Sequence, residues 1–448
     1  MSLRTTQVSW NRKVKQLYGL KYRALADRFW SMSKDEWMDY QRNRFLEIYE
    51  YARNFIPYYK MRGALYPELH PGGRSLEELL LELPILKKET VKKHNEQFFS
   101  TRSSFNTVRH TTSGSTGNPL RLQATMQEKG MQQAIFDTWK RRIVGTSSPR
   151  TIYLLGSIKE EGEQWLSRAY GTNEVYISIY QLRQKHKHEI IQFLHAFDPA
   201  FIQGYPSAVF QLAQLAGDSL LHRKNRTYAM VTSETLLPQW KSVIEEKLCH
   251  KVYDFYSSQE GAHGAFEGDC GSMHIHPMFG SVELIKEDGN RADIGESGLI
   301  VVTGLIRKSM PLIRYEIGDH AVKGSYHSSC SCSSSWDSLQ KIEGRLGDQL
   351  LLEDGRRISM LVLNHLFHGL DGVEVNGAQL IQHSTHRFEF LIVMKERDQG
   401  SRKFVQQRFQ QRFIKLVNPP SNVDLAFTFV SEIPRGANGK IKLVDVRL

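Results

Sequence analysis

From about residue 150 to 258, short apolar runs alternate with helical stretches: "TIYLLG", "VYISIY", "HEIIQFLHAF", "AFIQGYPSAVFQLAQLAG", "YAMVTSE", "WKSVIEEKLC" and "KVYDFYSS". Few folds accept that alternation. Strands joined by helical crossovers run parallel, and a parallel sheet needs helices over its faces because both faces are apolar. The segment therefore predicts βαβ units and an α/β architecture.

Its flanks read differently. Upstream, "SKDEWMDYQRNRFLEIYEYARNFIPYY" opens with Ser33 and Glu36 in capping-box spacing, repeats apolar residues at Trp37, Tyr40, Phe45, Ile48, Tyr49 and Ala52, and meets Pro57. A helix ending before that proline follows. A second helix is expected from about Ser75. Downstream, "GSVELI", "GLIVVTGL" and "PLIRYEIGDHAV" are strands parted by Gly- and Asp-rich turns, between about Ser281 and Ala321. After Arg345, "VEVNGAQLIQ" and "RFEFLIVM" read as strands, "RKFVQQRFQQRFIKLV" as a helix with Val405, Phe409, Phe413 and Leu416 on one face, and "VDLAFTFV" as a strand. We expect a large N-terminal domain over 1–344, helical over about 1–100, and a small α+β domain over 345–448. There is no internal repeat. The one low-complexity stretch is "SYHSSCSCSSSWDS", residues 325–338.

With 448 residues, 40% hydrophobic and 24% charged, the chain can bury a sizeable core and is not a disordered polyelectrolyte. No apolar run approaches the roughly 20 residues a membrane span requires, and "MSLRTTQVSWNRKVKQLYGL" lacks an apolar signal-peptide core. The expectation is a cytoplasmic protein without membrane insertion. Four cysteines make no disulfide scaffold in a chain of this length. The net charge of +11 fits nucleic acid, an anionic surface or a polyanionic small molecule. Its basic residues are dispersed, and the cluster "RQKHKHE" at 183–189 reads as a solvated helix face, so nucleic acid is not the expected partner.

Residues 111–120, "TTSGSTGNPL", concentrate hydroxyls and glycines. Glycines let backbone N–H groups approach a ligand, and neighbouring hydroxyls add donors, which suits phosphate oxygens. The stretch lacks the lysine of a Walker A loop. By itself it reads equally as an exposed linker.

Other stretches decide between these readings. "TTSGSTGNP" resembles the phosphate-binding signature of the adenylate-forming enzymes, the superfamily of acyl-CoA synthetases, nonribosomal-peptide adenylation domains and luciferases. "DFYSSQEG" (254–261), "PLIRYEIGD" (311–319), "KIEGRLGDQLLLEDGRRIS" (341–359) and "PRGANGKIK" (434–442) resemble that family's later motifs, in its order. "YEYARNFIPYY", "LPILKKETVK", "IQGYPSAVFQLA" and "VTSETLLPQW" resemble the phenylacetate-CoA ligase-like branch, which includes capsule-polysaccharide-associated relatives.

The resemblance implies a large domain of mixed sheets wrapped by helices, a small mobile C-terminal domain, and ATP-dependent activation of a carboxylic acid. An acyl-adenylate forms, pyrophosphate leaves, and the acyl group passes to an acceptor. Coenzyme A is the expected acceptor and an aryl or arylacetic acid the expected substrate. An amide- or ester-forming ligase of polysaccharide or natural-product assembly is the alternative, and a non-catalytic nucleotide-binding scaffold a second.

Such chemistry needs fixed donors, a divalent cation and a positive side chain around the phosphates. By resemblance, Ser113, Gly114, Ser115, Thr116 and Gly117 cradle the β- and γ-phosphates. Tyr256 and Ser257 lie near the adenine, and Glu260 holds magnesium with a hard oxygen. Asp319 and Arg345 take the ribose hydroxyls. Lys440 bridges the acid's carboxylate and the α-phosphate, and Asp348 is the hinge of the small domain. Tyr205, Pro206, Glu234 and Phe255 are candidates for the acid and adenine surroundings. The chain departs from the pattern at Arg121, where a lysine commonly follows the loop's proline, at Gln259 before the glutamate, and at Ser257 in place of glycine.

Cys270 and His274 have C-x3-H spacing, and Cys330 and Cys332 form C-x-C. Three thiolates and one imidazole make a tetrahedral zinc site, with His263 or His276 as alternative ligands to His274. Unpaired cysteines in a serine-rich loop are the other reading. Cys249 reads as part of a helix face.

Overall fold

The computed structural model describes residues 3–102, 106–111, 120–155, 166–170, 173–220, 226–325, 335–345, 350–358, 366, 375–394, 398–420, 422–436 and 440–448. The tertiary contacts divide the chain into two compact units: Met1–Ser147 with Phe255–Ile342, and Ser148–Asp254 with Glu343–Leu448.

The first unit is led by helices. Lys34–Phe55 has the capping box read from its sequence, with Glu36 N donating to Ser33 Oγ at 3.2 Å and Ser33 N to Glu36 Oε2 at 2.8 Å. A cap of this kind is worth ~1 kcal/mol. Trp37, Phe45, Ile48, Tyr49 and Ala52 form its buried face, with Gln41 inward of Tyr40 and its amide donating to the carbonyls of Pro277 and Gly280 at 3.0 and 2.9 Å. Its C-cap is Ile56, directly before Pro57. The capping box of Ser75 and Glu78 starts the next helix, Leu76–Leu81. The long helix Leu3–Arg28 lies against Met126–Val144. The approach is close enough that a Cβ at Gly130 would fall 2.3 Å from Tyr18 Cβ.

Strands of this unit are mainly antiparallel. Gly280–Ile285, Ser297–Gly304 and Tyr315–Lys323 are neighbours in that order, followed by Ser338–Arg345, Met273–Ile275 and Gly264–Glu267. Gly264–Phe266 pair with Phe255–Ser257. A separate hairpin, Thr107–Thr111 with Arg121–Thr125, frames the glycine- and hydroxyl-rich stretch, and Thr111 lies opposite Arg121 at its mouth.

The second unit holds the parallel sheet that the alternation predicts. Glu174–Ser178, Thr151–Leu155, Phe201–Gly204 and Tyr228–Thr232 run parallel, with Leu166–Tyr170 antiparallel at the edge. Helices Lys187–Phe197 and Pro206–Ala216 lie between these strands in sequence, and Pro238–Lys247 follows the last of them. Asp424–Phe429, Arg387–Met394, Val375–Gln382 and Val444–Val446 form a four-stranded sheet. Helix Gln399–Val417 packs on it, Phe409 and Phe413 meeting Phe390 at ring centroids of 5.2 and 5.9 Å. Together these are the mixed α/β fold and the C-terminal α+β elements expected from the sequence.

Candidate functional site

In the first unit, strand Lys251–Ser257 delivers Tyr256 and then turns. Gly261 closes the turn at φ 64°, its N–H donating to the Ser258 carbonyl at 3.0 Å. A Cβ there would fall 2.2 Å from Gln132 Nε2 and 2.6 Å from Arg307 Nη2, so both backbone and space demand glycine. The turn carries Glu260, buried at 5% exposure. Its Oε1 accepts the Tyr315 hydroxyl at 3.2 Å. Four residues on, on the same strand, Asp319 Oδ2 accepts the Tyr256 hydroxyl at 2.7 Å. Two carboxylates are thus held by two tyrosines, one pair linking strand to turn and the other strand to strand.

Cationic and imidazole groups surround this frame. Arg307 is 6% exposed, and Nη2 donates to the Gln259 carbonyl at 2.9 Å. Its Nε and Nη1 have no partner among the described residues, and burial pulls its pKa down to about 10. His110 is drawn down to about 4, first by burial and then by Arg307 and Lys129. His263, fully enclosed with its ring 5.0 Å from Tyr256, is drawn down to about 4 by burial, so it is neutral at pH 7. Neither of its nitrogens has a described partner.

Arg314 marks the contrast. It is equally buried, but Nε and Nη2 form a fork on Glu283 at 3.1 and 3.0 Å while Nη1 reaches the Leu83 carbonyl. Glu128, the other carboxylate near Arg307, is occupied by Thr125 N at 2.7 Å, Lys308 N at 2.8 Å, Ser309 N at 2.9 Å and Ser309 Oγ at 2.6 Å.

In the second unit, Tyr205 caps helix Pro206–Ala216, with Pro206 at its first turn. Glu234, following strand Tyr228–Thr232, reaches that helix start, and Oε2 accepts Ser207 N at 3.1 Å. Its Oε1 accepts Ile441 N at 2.7 Å, next to Lys440. Burial pushes the Glu234 carboxyl above the usual range, outweighing the amides that favour its charge. Arg435 donates to Ser207 Oγ and Gln211 Oε1, both at 3.2 Å, and forms an isolated bridge with Ile441. Lys440 Nζ sits 5.7 Å from the Tyr205 ring centroid, the outer range of a cation–π contact. Tyr205, Pro206, Glu234 and Lys440 are therefore gathered around one clasp.

The remaining candidates are distributed as follows. Phe255 is enclosed by Phe136 and Phe266, each at a centroid distance of 4.7 Å. Ser257 pairs with Gly264 at the strand end. Cys270 Sγ and His274 Nε2 are 3.2 Å apart. His276 is buried in an aromatic box with Trp336 and Phe29, at 4.5 and 5.4 Å. Among the described residues no three His, Cys, Asp or Glu side chains form a metal-binding group. Ser113 to Gly117, Cys330, Cys332 and Asp348 lie outside the described residues, as does the side chain of Arg345. Sequence reasoning missed Arg307, Tyr315, His110 and Arg435. Only Tyr315 lay within a quoted motif as the residue after "PLIR", and Arg435 within "PRGANGKIK".

The chain resembles known proteins in sequence and in fold. Residues 350–446 match the CapK C-terminal domain family. The chain is 22% identical to protein CapK of Staphylococcus aureus over 408 residues, 89% of this chain and 87% of CapK. It is 22% identical to a phenylacetate-coenzyme A ligase of Thermus thermophilus, over 70% of this chain and 71% of that enzyme. The fold matches that of a 2-hydroxyisobutyryl-CoA ligase in the postadenylation state with 2-HIB-AMP, at TM-score 0.71 and 18% identity over 93% of this chain and 90% of that one.

Proposed function

We propose that this chain, which has the adenylate-forming ligase fold and CapK and a phenylacetate-coenzyme A ligase as sequence relatives, is an ATP-dependent carboxylic acid ligase. The acid's carboxylate oxygen attacks the α-phosphorus of ATP, the bond to the β-phosphate oxygen breaks, and pyrophosphate leaves. The acyl-adenylate is then attacked by an acceptor nucleophile and AMP departs. Coenzyme A as acceptor and an aryl or arylacetic acid as substrate are the specific reading.

The observation that carries this reading is the pair of tyrosine-held carboxylates. Tyr256 and Tyr315 hold Asp319 and Glu260 on a rigid strand and turn, at 2.7 and 3.2 Å. Asp319 takes the ribose hydroxyls, with Arg345, and Tyr256 and Ser257 lie beside the adenine. Glu260, a buried hard oxygen donor, fits magnesium, which when bound neutralises charge on the phosphates. Ser113–Gly117 hold the β- and γ-phosphates. Lys440 steadies the acid's carboxylate and the α-phosphate, its loop held by Glu234. We retain 1–344 and 345–448 as functional domains with the pivot at Asp348. A zinc site of Cys270 and His274 with Cys330 and Cys332 fits the thiol–imidazole pair at 3.2 Å.

Pyrophosphate exchange into ATP across a panel of carboxylic acids tests the first step, and mass spectrometry with coenzyme A or amines added identifies the acceptor. No exchange with any acid would refute a ligase. An amide or ester product is the second reading, favoured by the match of residues 350–446 to the CapK C-terminal domain. Zinc is checked by metal analysis, where less than one equivalent excludes the tetrahedral site.

A further inference from the structure

A buried guanidinium is normally forked onto a carboxylate, as Arg314 is on Glu283. Arg307 is buried as deeply, spends one N–H on the Gln259 carbonyl, and has no described partner for Nε or Nη1. Two carboxylates, Glu128 and Glu260, lie within its field, but neither is forked onto it: Glu128 accepts four other donors and Glu260 the Tyr315 hydroxyl. Further positive charge faces it from helix Met126–Val144, where Lys129 lies within its field, and strand Thr107–Thr111 brings the neutral imidazole of His110 into the same field as a hydrogen-bonding group. Gln132 of the same helix converges with Arg307 on Gly261, where no side chain fits. A buried cation with N–H donors left unbonded among the described residues is costly. Its cost is recovered when an anion arrives.

We propose that Arg307, with Lys129 and His110 beside it, forms an oxyanion subsite that takes oxygens of the nucleotide's phosphate chain. His110 stands next to Thr111, the last described residue before the hydroxyl- and glycine-rich stretch. That stretch is followed by Leu120 and Arg121 where a lysine commonly stands, and Arg121 pairs outward with Glu96 at 2.7 Å. Arg307, far along the chain, supplies a buried positive charge, which the exposed, Glu96-paired Arg121 does not. The shared chemistry is an oxyanion, and the carboxylate of the acid is the other source of one. The proposal deepens the ligase reading, on which the identity of the anion rests.

The test compares Arg307→Met, an apolar near-isostere, and Arg307→Lys with the parent protein. Thermal midpoints without ligand and titrations with magnesium pyrophosphate, magnesium ATP and phenylacetate are the readouts. The Met variant should hold or raise the ligand-free midpoint, lose the ligand-induced rise, and bind pyrophosphate about 10- to 100-fold more weakly, the loss expected of charged hydrogen bonds. The Lys variant should fall between, because it keeps the charge without the fork. Weakened phenylacetate binding with unchanged pyrophosphate binding assigns the subsite to the acid's carboxylate and overturns the phosphate assignment. A lowered ligand-free midpoint with both affinities unchanged makes Arg307 structural and overturns the subsite. If the Met variant does not fold, unchanged pyrophosphate affinity in the Lys variant does the same. None of these readings requires turnover, so absence of pyrophosphate exchange in the parent protein refutes the ligase and leaves the subsite standing.

Discussion

Replacing Glu234 by alanine should release the loop that presents Lys440. The carboxylate accepts two main-chain amides, Ile441 N at 2.7 Å and Ser207 N at 3.1 Å. A hydrogen bond to a charged group contributes about 1.5–3 kcal/mol. Two are lost, but the site is half-buried, so water replaces part of the loss, and removal of a buried carboxylate returns some of its desolvation cost. A net weakening of ~2 kcal/mol in the clasp corresponds to about a 30-fold rise in local opening. Hydrogen exchange of the Ile441 amide reads that opening directly. Adenylation, followed by pyrophosphate exchange, should fall with it, whereas attack of coenzyme A on supplied acyl-adenylate should not. Unchanged exchange at Ile441, or equal losses in both half-reactions, would refute the argument that Glu234 acts by holding the lysine loop.

Other outcomes follow from the same geometry. Glu283→Gln leaves the buried Arg314 without its countercharge and should cost about 3–5 kcal/mol in chemical denaturation, in contrast to Arg307→Met. Gly261→Ala forces an L side chain to φ 64° and into Arg307 and Gln132. It should lower stability by about 1–3 kcal/mol and weaken ATP binding measured by calorimetry. Lys440→Ala should depress pyrophosphate exchange while leaving ATP affinity within a few-fold. His263 is held down to about 4 by burial, below its ordinary value, so the unfolded chain binds more protons between that value and about 6.5. Stability should therefore drop as pH falls through this window, and His263→Leu should flatten the drop in a pH series of denaturation midpoints.

Elements with a local cause were legible in the sequence. Ser33 and Glu36 announce a helix whose end Pro57 dictates, and the alternation after residue 150 can be satisfied only by crossovers, whatever the rest of the chain does. Helix Gln399–Val417 was visible in its phenylalanines for the same reason. The site was legible where residues lie inside motifs, as Glu260, Asp319 and Lys440 do. Arg307 was not, because nothing in "GLIRKSMP" separates an arginine whose Nε and Nη1 have no partner among the described residues from Arg314, seven positions later, whose fork is filled by Glu283. That difference is set by residues far along the chain. Glu234 was marked for the acid's surroundings. Its amide partners, 27 and 207 positions away, could not be read from local pattern.

That separation also orders the protein's biosynthesis. Ser207 has been made when Glu234 emerges, so one half of the clasp can close at once, while Ile441 follows 207 residues later. At roughly 5–20 residues per second the wait is on the order of 10–40 s. During that interval the ribosome produces Phe255–Ile342, which belongs to the other compact unit, before returning to the segment that completes this one. The Ser207 half of the clasp is therefore made before its Ile441 half, and a chain stalled after residue 342 would lack the second amide on Glu234.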